Sequence, residues 1–291
     1  MDYHKATTLH PLSPIKHDPY AHIFIGRNTY KHMDDESPRK IKSLVTSNKI
    51  LQELQRLNGA GASKVAENLD IGRSTAYQYL STLHSEGYIK KREKNYHIGL
   101  KYLNHGMYVR NRHPIIELAR PSLNSLVEET GEIGWLTCED NGKLVTLDVA
   151  VGQRDINTKF RGRIGNREFM HAHAGGKAIL ATYSNERVSE IVDTHGLPEY
   201  TDQTIIDPET LFQELADIRD AGIAVNDEEA ITGYRAVGAA VTQDEETIGS
   251  ITVGGPKSRL TGDQFRHGIP DLLRGVINEI DLRGSVSSPW K

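Results

Sequence analysis

A single cysteine, 7% aromatic residues and no long apolar run mark what this chain of 291 residues has little of. Cys138 alone excludes an intrachain disulfide and fits a reducing compartment. No stretch approaches the roughly 18 apolar residues needed to span a bilayer, and the N-terminus lacks the apolar core of a signal peptide. The expectation is a soluble, cytoplasmic protein with no membrane partner. There is no internal repeat and no low-complexity tract. The length suffices for two domains, each able to bury its own core.

The net charge of −4 is small, but it conceals a division. Residues 39–112 carry 14 Lys+Arg against 5 Asp+Glu, whereas residues 113–291 carry 17 against 29. A basic module therefore stands beside an acidic one, and a basic module is the electrostatic footprint of nucleic-acid binding.

The basic segment also has a reading helix. In "GRSTAYQYLSTLHSEGYIKK", a wheel of about 100° per residue puts Ala76, Leu80 and Leu83 on one face, with Tyr79 and His84 at its margins. The opposite face holds Ser74, Gln78, Ser81, Thr82 and Ser85, almost without charge. A merely solvated helix would place Glu and Lys pairs there. Gly87 can end the helix in a left-handed cap, and "YIKKREKNYHIG" predicts two short strands around a turn from Arg92 to Asn95. Upstream, "NKILQELQRL" repeats apolar residues at Ile50, Leu51, Leu54 and Leu57, and "SKVAENLDI" predicts a short helix with Ser63 as N-cap. Helix, short helix, turn, polar-faced helix and basic hairpin is the order of a winged helix-turn-helix, whose polar helix enters the DNA major groove. Candidate DNA contacts are Ser63 and Lys64 on the short helix, Arg73, Ser74, Thr75, Tyr77, Gln78, Ser81 and Thr82 on the reading helix, and Arg92 and Lys94 in the hairpin. Arg73, Ser74 and Thr75 suit phosphate at the helix start, and Gln78 suits adenine.

"LKYLNHGMYVRNR" predicts a linker helix, in which Gly106 is either a flexible point or a place for close helix packing at a dimer contact. "HPIIELARPSLNSLVEETG" follows, its helical pattern kinked or interrupted by Pro121. Strands at "IGWLTCED" and "KLVTLDVAV" are joined by an Asn-Gly hairpin signal. Helices at "GGKAILATY" and "PETLFQELADIRDAG", strands at "AVGAAVTQ" and "TIGSITVGG", and a helix near "FRHGIPDLLRGVINEI" complete an α+β domain, with helices on a largely antiparallel sheet. The predicted organisation is a disordered arm over 1–38, a winged helix-turn-helix over 39–99, a linker helix over 100–112 and a second domain over 113–291. The arm holds five of the 13 histidines, irregularly spaced and without cysteine partners, so no metal site is read there. Met33 offers an alternative translation start.

The winged helix together with "MHAHAGGKAILA", "IRDAGIAVNDEEAITGYRAVGAAV" and "IGSITVGGPKSRLT" resembles the IclR-type transcriptional regulators from about Ile41 to Leu282. The order and spacing of "GKA", "DEE…G" and "GP…R" carry the resemblance. It implies a GAF-like C-terminal domain that binds a small effector such as an organic or sugar acid. It also implies a homodimer or homotetramer reading an inverted-repeat operator in double-stranded DNA. Carried over onto this sequence, the effector positions are Ala174 and Gly175 before "GKA", Asn226 before "DEE", Ala236 in the next strand, and Thr252 and Gly254 before "GP". Only Asn226 and Thr252 among these are polar side chains, which suggests a larger or less acidic ligand held partly by apolar walls such as Trp135 and Leu147.

Enzymatic readings find little support in the sequence. His171 and His173 form a His-x-His pair without an acidic ligand cluster, and "GGKA" lacks the spacing of a phosphate-binding loop. Asp227, Glu228 and Glu229 read as cap and surface residues, and Cys138 as a buried filler with no nearby base. The alternative is a metabolite enzyme tethered to nucleic acid. It needs an acid/base or metal constellation in residues 114–291, and the sequence offers none. A regulator without cofactor, metal or catalytic residue is the expectation.

Overall fold

The computed structural model describes residues 40–155 and 163–286; the arm expected over 1–38 lies outside them. The chain divides into two compact units, the first ending at Asn104 and the second beginning at His105.

In the first unit, α1 (Lys42–Arg56), α2 (Ala62–Leu69) and α3 (Arg73–Ser85) precede a hairpin of β1 (Ile89–Arg92) and β2 (Asn95–Ile98). Ile50, Leu54, Val65, Ala76, Leu80, Ile89 and Tyr96 form one buried core. Glu53 locks α1 to α2 by accepting from Arg56 and from Asn68 Nδ2, and the hydrogen bond to Arg56 is the main cause holding its carboxyl below the usual range. Backbone bonds between Ala60 and Tyr96 tie the α1–α2 loop to the hairpin. Gly87, at a φ of 76°, closes α3 with paired bonds from Gly87 N to His84 O and from Tyr88 N to Leu83 O. The expected N-cap moves: α2 is capped by Gly61 without a side-chain bond, and Ser63 lies exposed inside the first turn. A side chain at Gly61 would lie 3.3 Å from Lys94 O, a tight contact with the hairpin.

Helix α4 (Lys101–Asn111) crosses the boundary between the units. The second unit continues with α5 (Pro114–Thr130), β3 (Ile133–Asp140), β4 (Lys143–Val151), β5 (Arg167–Phe169), α6 (Ala174–Thr182), α7 (Asn185–His195), α8 (Pro208–Ala221), β6 (Ala224–Asp227), β7 (Tyr234–Gln243), β8 (Glu246–Pro256) and α9 (Ile269–Val286). The strands form one antiparallel sheet in the order β5-β4-β3-β8-β7-β6. The hairpin turn at Asn141 and Gly142 takes φ values of 51° and 72°, the conformation that Asn-Gly favours. Ile115, Leu123 and Leu126 of α5 and Leu273 and Ile280 of α9 cover one sheet face; α6, α7 and α8 cover the other through Ile179, Val188, Ile191, Leu211 and Leu215.

Pro121 neither breaks nor ends α5, which runs unbroken past it. Buried Ile115 and Ala119 before it, and Leu123 and Leu126 after it, hold both halves on the same core. Three elements went unanticipated: the short edge strands β5 and β6, and α7.

Candidate DNA interface and effector site

Helix α3 turns Ser74, Tyr77, Gln78 and Ser81 to solvent, and hides Ala76 and Leu80 completely. Its N-cap, Gly72, supplies no side-chain bond, so the first-turn N–H groups of Arg73, Ser74 and Thr75 are left for a phosphate or water. Thr82 is the exception among the expected contacts on α3, because its hydroxyl already donates to Gln78 O at 3.0 Å. Arg92 and Lys94 stand exposed on the hairpin, whose tip is turned by Glu93 at a φ of 54°. Lys64 is exposed but shared with Glu67 at 3.0 Å.

In the second unit, strand register collects the other predicted positions on the sheet face beneath α6. Trp135 pairs with Thr252, Thr137 with Ser250, Ala236 with Gly254, and Asn226 with Ala236. Alternation puts these side chains on one surface. Two glycines bring α6 down on it. A Cβ on Gly175 would lie 2.6 Å from Ser250 Oγ, 2.8 Å from Thr252 Oγ1 and 3.0 Å from Thr137 Oγ1, and one on Gly238 would lie 3.0 Å from Gly175 N. The uncapped N-terminus of α6, Ala174 and Gly175, therefore meets three hydroxyls.

Those hydroxyls are not equivalent. Thr137 and Ser250 bond each other at 2.6 Å, while Thr252 Oγ1 is buried without a partner among the described residues. The expectation that only Asn226 and Thr252 bring polar side chains here is corrected by Thr137 and Ser250, whose parity along β3 and β8 was visible in the sequence. Asn226 is already committed: its Nδ2 donates to Ala172 O at 2.8 Å, and its Oδ1 accepts from Glu229 N at 3.0 Å. Trp135, expected as an apolar wall, lies over Gly254 on this face and meets Tyr234 edge-on at 6.4 Å. Leu147 is not. It packs with the α5 and α9 core on the opposite sheet face, because the register of β3 and β4 shifts between Leu136 and Thr137.

The motifs turn out to be clamps. Lys177 of "GKA" is fully buried, its Nζ 2.7 Å from Glu229 Oε1 and 2.9 Å from Glu214 Oε1. Each acid of "DEE" holds a different cation: Asp227 takes Arg235, Glu228 takes Lys257 and Glu229 takes Lys177. Glu229 is thus buried rather than on the surface, and burial pushes its carboxyl up although Lys177 pulls the other way. Arg259 of "GP…R" forks onto Glu132, which is wholly buried. At the end of α4, Arg110 Nη2 lies 2.8 Å from Asp148 Oδ1 and its Nε donates to Leu147 O at 2.6 Å; Arg120 takes the other Asp148 oxygen at 3.0 Å.

No catalytic arrangement emerges among the described residues. His171 is buried with Nε2 3.1 Å from Pro198 O, and burial, as the largest cause, brings its pKa down to about 4. His173 Nε2 lies 3.6 Å from Glu168 Oε2, and among the described residues no group of three His, Cys, Asp or Glu could hold a metal ion. Burial pushes the Cys138 thiol up to about 12, far from a reactive thiolate.

Comparison with known proteins decides the family. The model of the bacterial transcriptional regulator IclR C-terminal domain matches residues 107–281, and that of the IclR helix-turn-helix domain matches residues 48–93. The chain belongs to the IclR family. It is a DNA-binding transcriptional regulator with a C-terminal effector-binding domain, not an enzyme. Among IclR-family relatives, the probable HTH-type transcriptional regulator ArcR of Halobacterium salinarum is 27% identical over 84% of this chain and 95% of its own length. The HTH-type transcriptional repressor AllR of Escherichia coli is 30% identical over 74% and 80%. The crystal structure of Thermotoga maritima IclR aligns with a TM-score of 0.66 at 26% identity, covering 83% of this chain and 96% of that one. An IclR homologue from Microbacterium hydrocarbonoxydans, complexed with 4-hydroxybenzoate, shares the fold with a TM-score of 0.70 at 16% identity, covering 84% and 99%. Among the described residues no helix is long and apolar enough to cross a membrane.

Proposed function

We propose that residues 39–99 read an inverted-repeat operator through α3, that residues 113–291 sense a small organic acid, and that 100–112 joins the two in a cytoplasmic homodimer or a tetramer of dimers. The exposed, nearly uncharged face of α3 supports base contact by Gln78 and Ser81, and its exposure adds Ser74, first assigned to phosphate, to that face. Phosphates fall to Arg73, Thr75, Ser63, Lys64 and the hairpin cations Arg92 and Lys94. Leu100, just before α4, and Leu103 and Met107 on it are 76%, 60% and 37% exposed, apolar side chains suited to a second copy of the chain. Light scattering at micromolar concentration tests that assembly, and a monomer on and off DNA would reject it.

Thr252 carries the effector assignment. A buried hydroxyl without a partner costs about 1–3 kcal/mol, unless something supplied from outside satisfies it. A carboxylate seated at the α6 N-terminus would accept from that hydroxyl and from the first-turn N–H groups of Ala174 and Gly175, where the helix dipole favours an anion. Trp135 and Ala236 with Gly254 would give its carbon body an apolar wall. The 4-hydroxybenzoate of the structural relative has this chemistry, an acid on an apolar body. A panel of organic and sugar acids titrated calorimetrically into the full chain should yield a binder that Thr252→Val weakens about tenfold or more. Undiminished binding by Thr252→Val would move the site elsewhere.

A further inference from the structure

Four tyrosines of the first unit are packed. Tyr79 lies against the core, Tyr88 and Tyr102 meet at 5.1 Å between ring centroids, and Tyr96 is 6% exposed. Tyr77 is 56% exposed, with no hydrogen bond or ring contact among the described residues. It stands on α3 between Ser74, three residues before it, and Ser81, four after, so small hydroxyl side chains flank the ring on the same side of the helix.

That stripe of Ser74, Tyr77, Gln78 and Ser81 carries no charge, while the cations stand at the helix start and on the hairpin. Phosphates are met by cations and N–H groups, so an uncharged stripe on a reading helix faces base edges. In the major groove the apolar feature on a base edge is the thymine 5-methyl, and Gln78 beside it matches the adenine N6 and N7 pair.

We propose that Tyr77 reads a thymine by packing its ring against the 5-methyl group, at a base pair neighbouring the adenine taken by Gln78. The proposal rests on α3 being the reading helix and adds to it a base identity and an atom. Uracil isolates that atom, since it pairs with adenine and keeps O4 but lacks the methyl.

Binding sites are first selected from random duplexes with the full chain. Each selected thymine is then replaced singly by deoxyuridine, and affinity is measured by fluorescence anisotropy at fixed salt. One thymine per half-site should show about a fourfold loss on replacement, the factor that one buried methyl group carries. Tyr77→Phe should retain this sensitivity, and Tyr77→Ala, at an exposed position, should fold normally but bind thymine and uracil duplexes equally. Wild-type protein indifferent to uracil at every thymine would overturn the proposal, as would undiminished sensitivity in Tyr77→Ala. A failure of the underlying assignment looks different: the selected sequence would then stay the same when Gln78 or Ser81 is replaced by alanine.

Discussion

Helices α3 and α6 both begin without a side-chain cap, leaving their first-turn N–H groups for another partner to satisfy. Beyond that they diverge. Along α3 only Ala76 and Leu80 are fully buried, whereas every residue of α6 from Ala174 to Ala181 is buried. A helix that reads a polymer must protrude and keep side chains unpaired. In its proposed role as a sensor α6 offers its end, and its flanks are pinned by packing and by charges such as Lys177. Stability and recognition are therefore separate properties on α3 and merged on α6.

The largest effect expected from this contrast comes from Lys177→Met. It leaves Glu229 buried without its cation, which should cost about 3–5 kcal/mol of stability. Calorimetric unfolding of the full chain should show the loss in the second unit alone; an equal loss in the first would break the contrast. Next comes acid sensitivity. The folded pKa of His171, about 4, lies below its ordinary 6.5, so the fold favours the neutral ring. That contribution is complete above pH 6.5 and is lost as pH falls toward 4. On the order of 2 kcal/mol should disappear between pH 7 and 5, and His171→Gln should flatten the curve. An unchanged curve in His171→Gln would assign the loss to other groups. The smallest effects are expected on α3 and its hairpin, where stability should stay within about 0.5 kcal/mol. Gln78→Ala should relax preference at one base pair by about 1–3 kcal/mol. Arg92→Ala or Lys94→Ala should weaken all sequences alike and lower the salt slope by about one. Equal loss of specificity in all three, in a site-selection assay, would erase the division between reading and anchoring.

Legibility followed the same contrast. In the first unit, α3, Gly87 and the hairpin around Arg92 were readable because local periodicity and turn chemistry decide them. Ser63 was misplaced as a cap because the approach of Lys94 O to Gly61 is a tertiary event. In the second unit, the sheet and its Asn-Gly turn were plain, but Leu147 landed on the wrong face, because a register shift between strands leaves no mark on a single strand's pattern. Helix α7 could have been found from Ser184 as N-cap and from Val188 and Ile191 at helical spacing. The edge strands β5 and β6, three and four residues long, are too short for alternation to declare itself. Asn226 was singled out by resemblance, but its two hydrogen bonds to Ala172 and Glu229 arise from loops that only the fold assembles.

The anchoring of α4 has a mechanical consequence. Arg110 fixes one end of the helix to the β4 backbone where the strand register shifts, and the nine positions from Arg110 back to Lys101 span about 14 Å at 1.5 Å per residue. The helix is then a lever whose fulcrum sits on the sheet: a tilt of about 10° at Asp148 would carry the far end through roughly 2 Å. Gly106, near the middle of that arm, has open space where a side chain would stand.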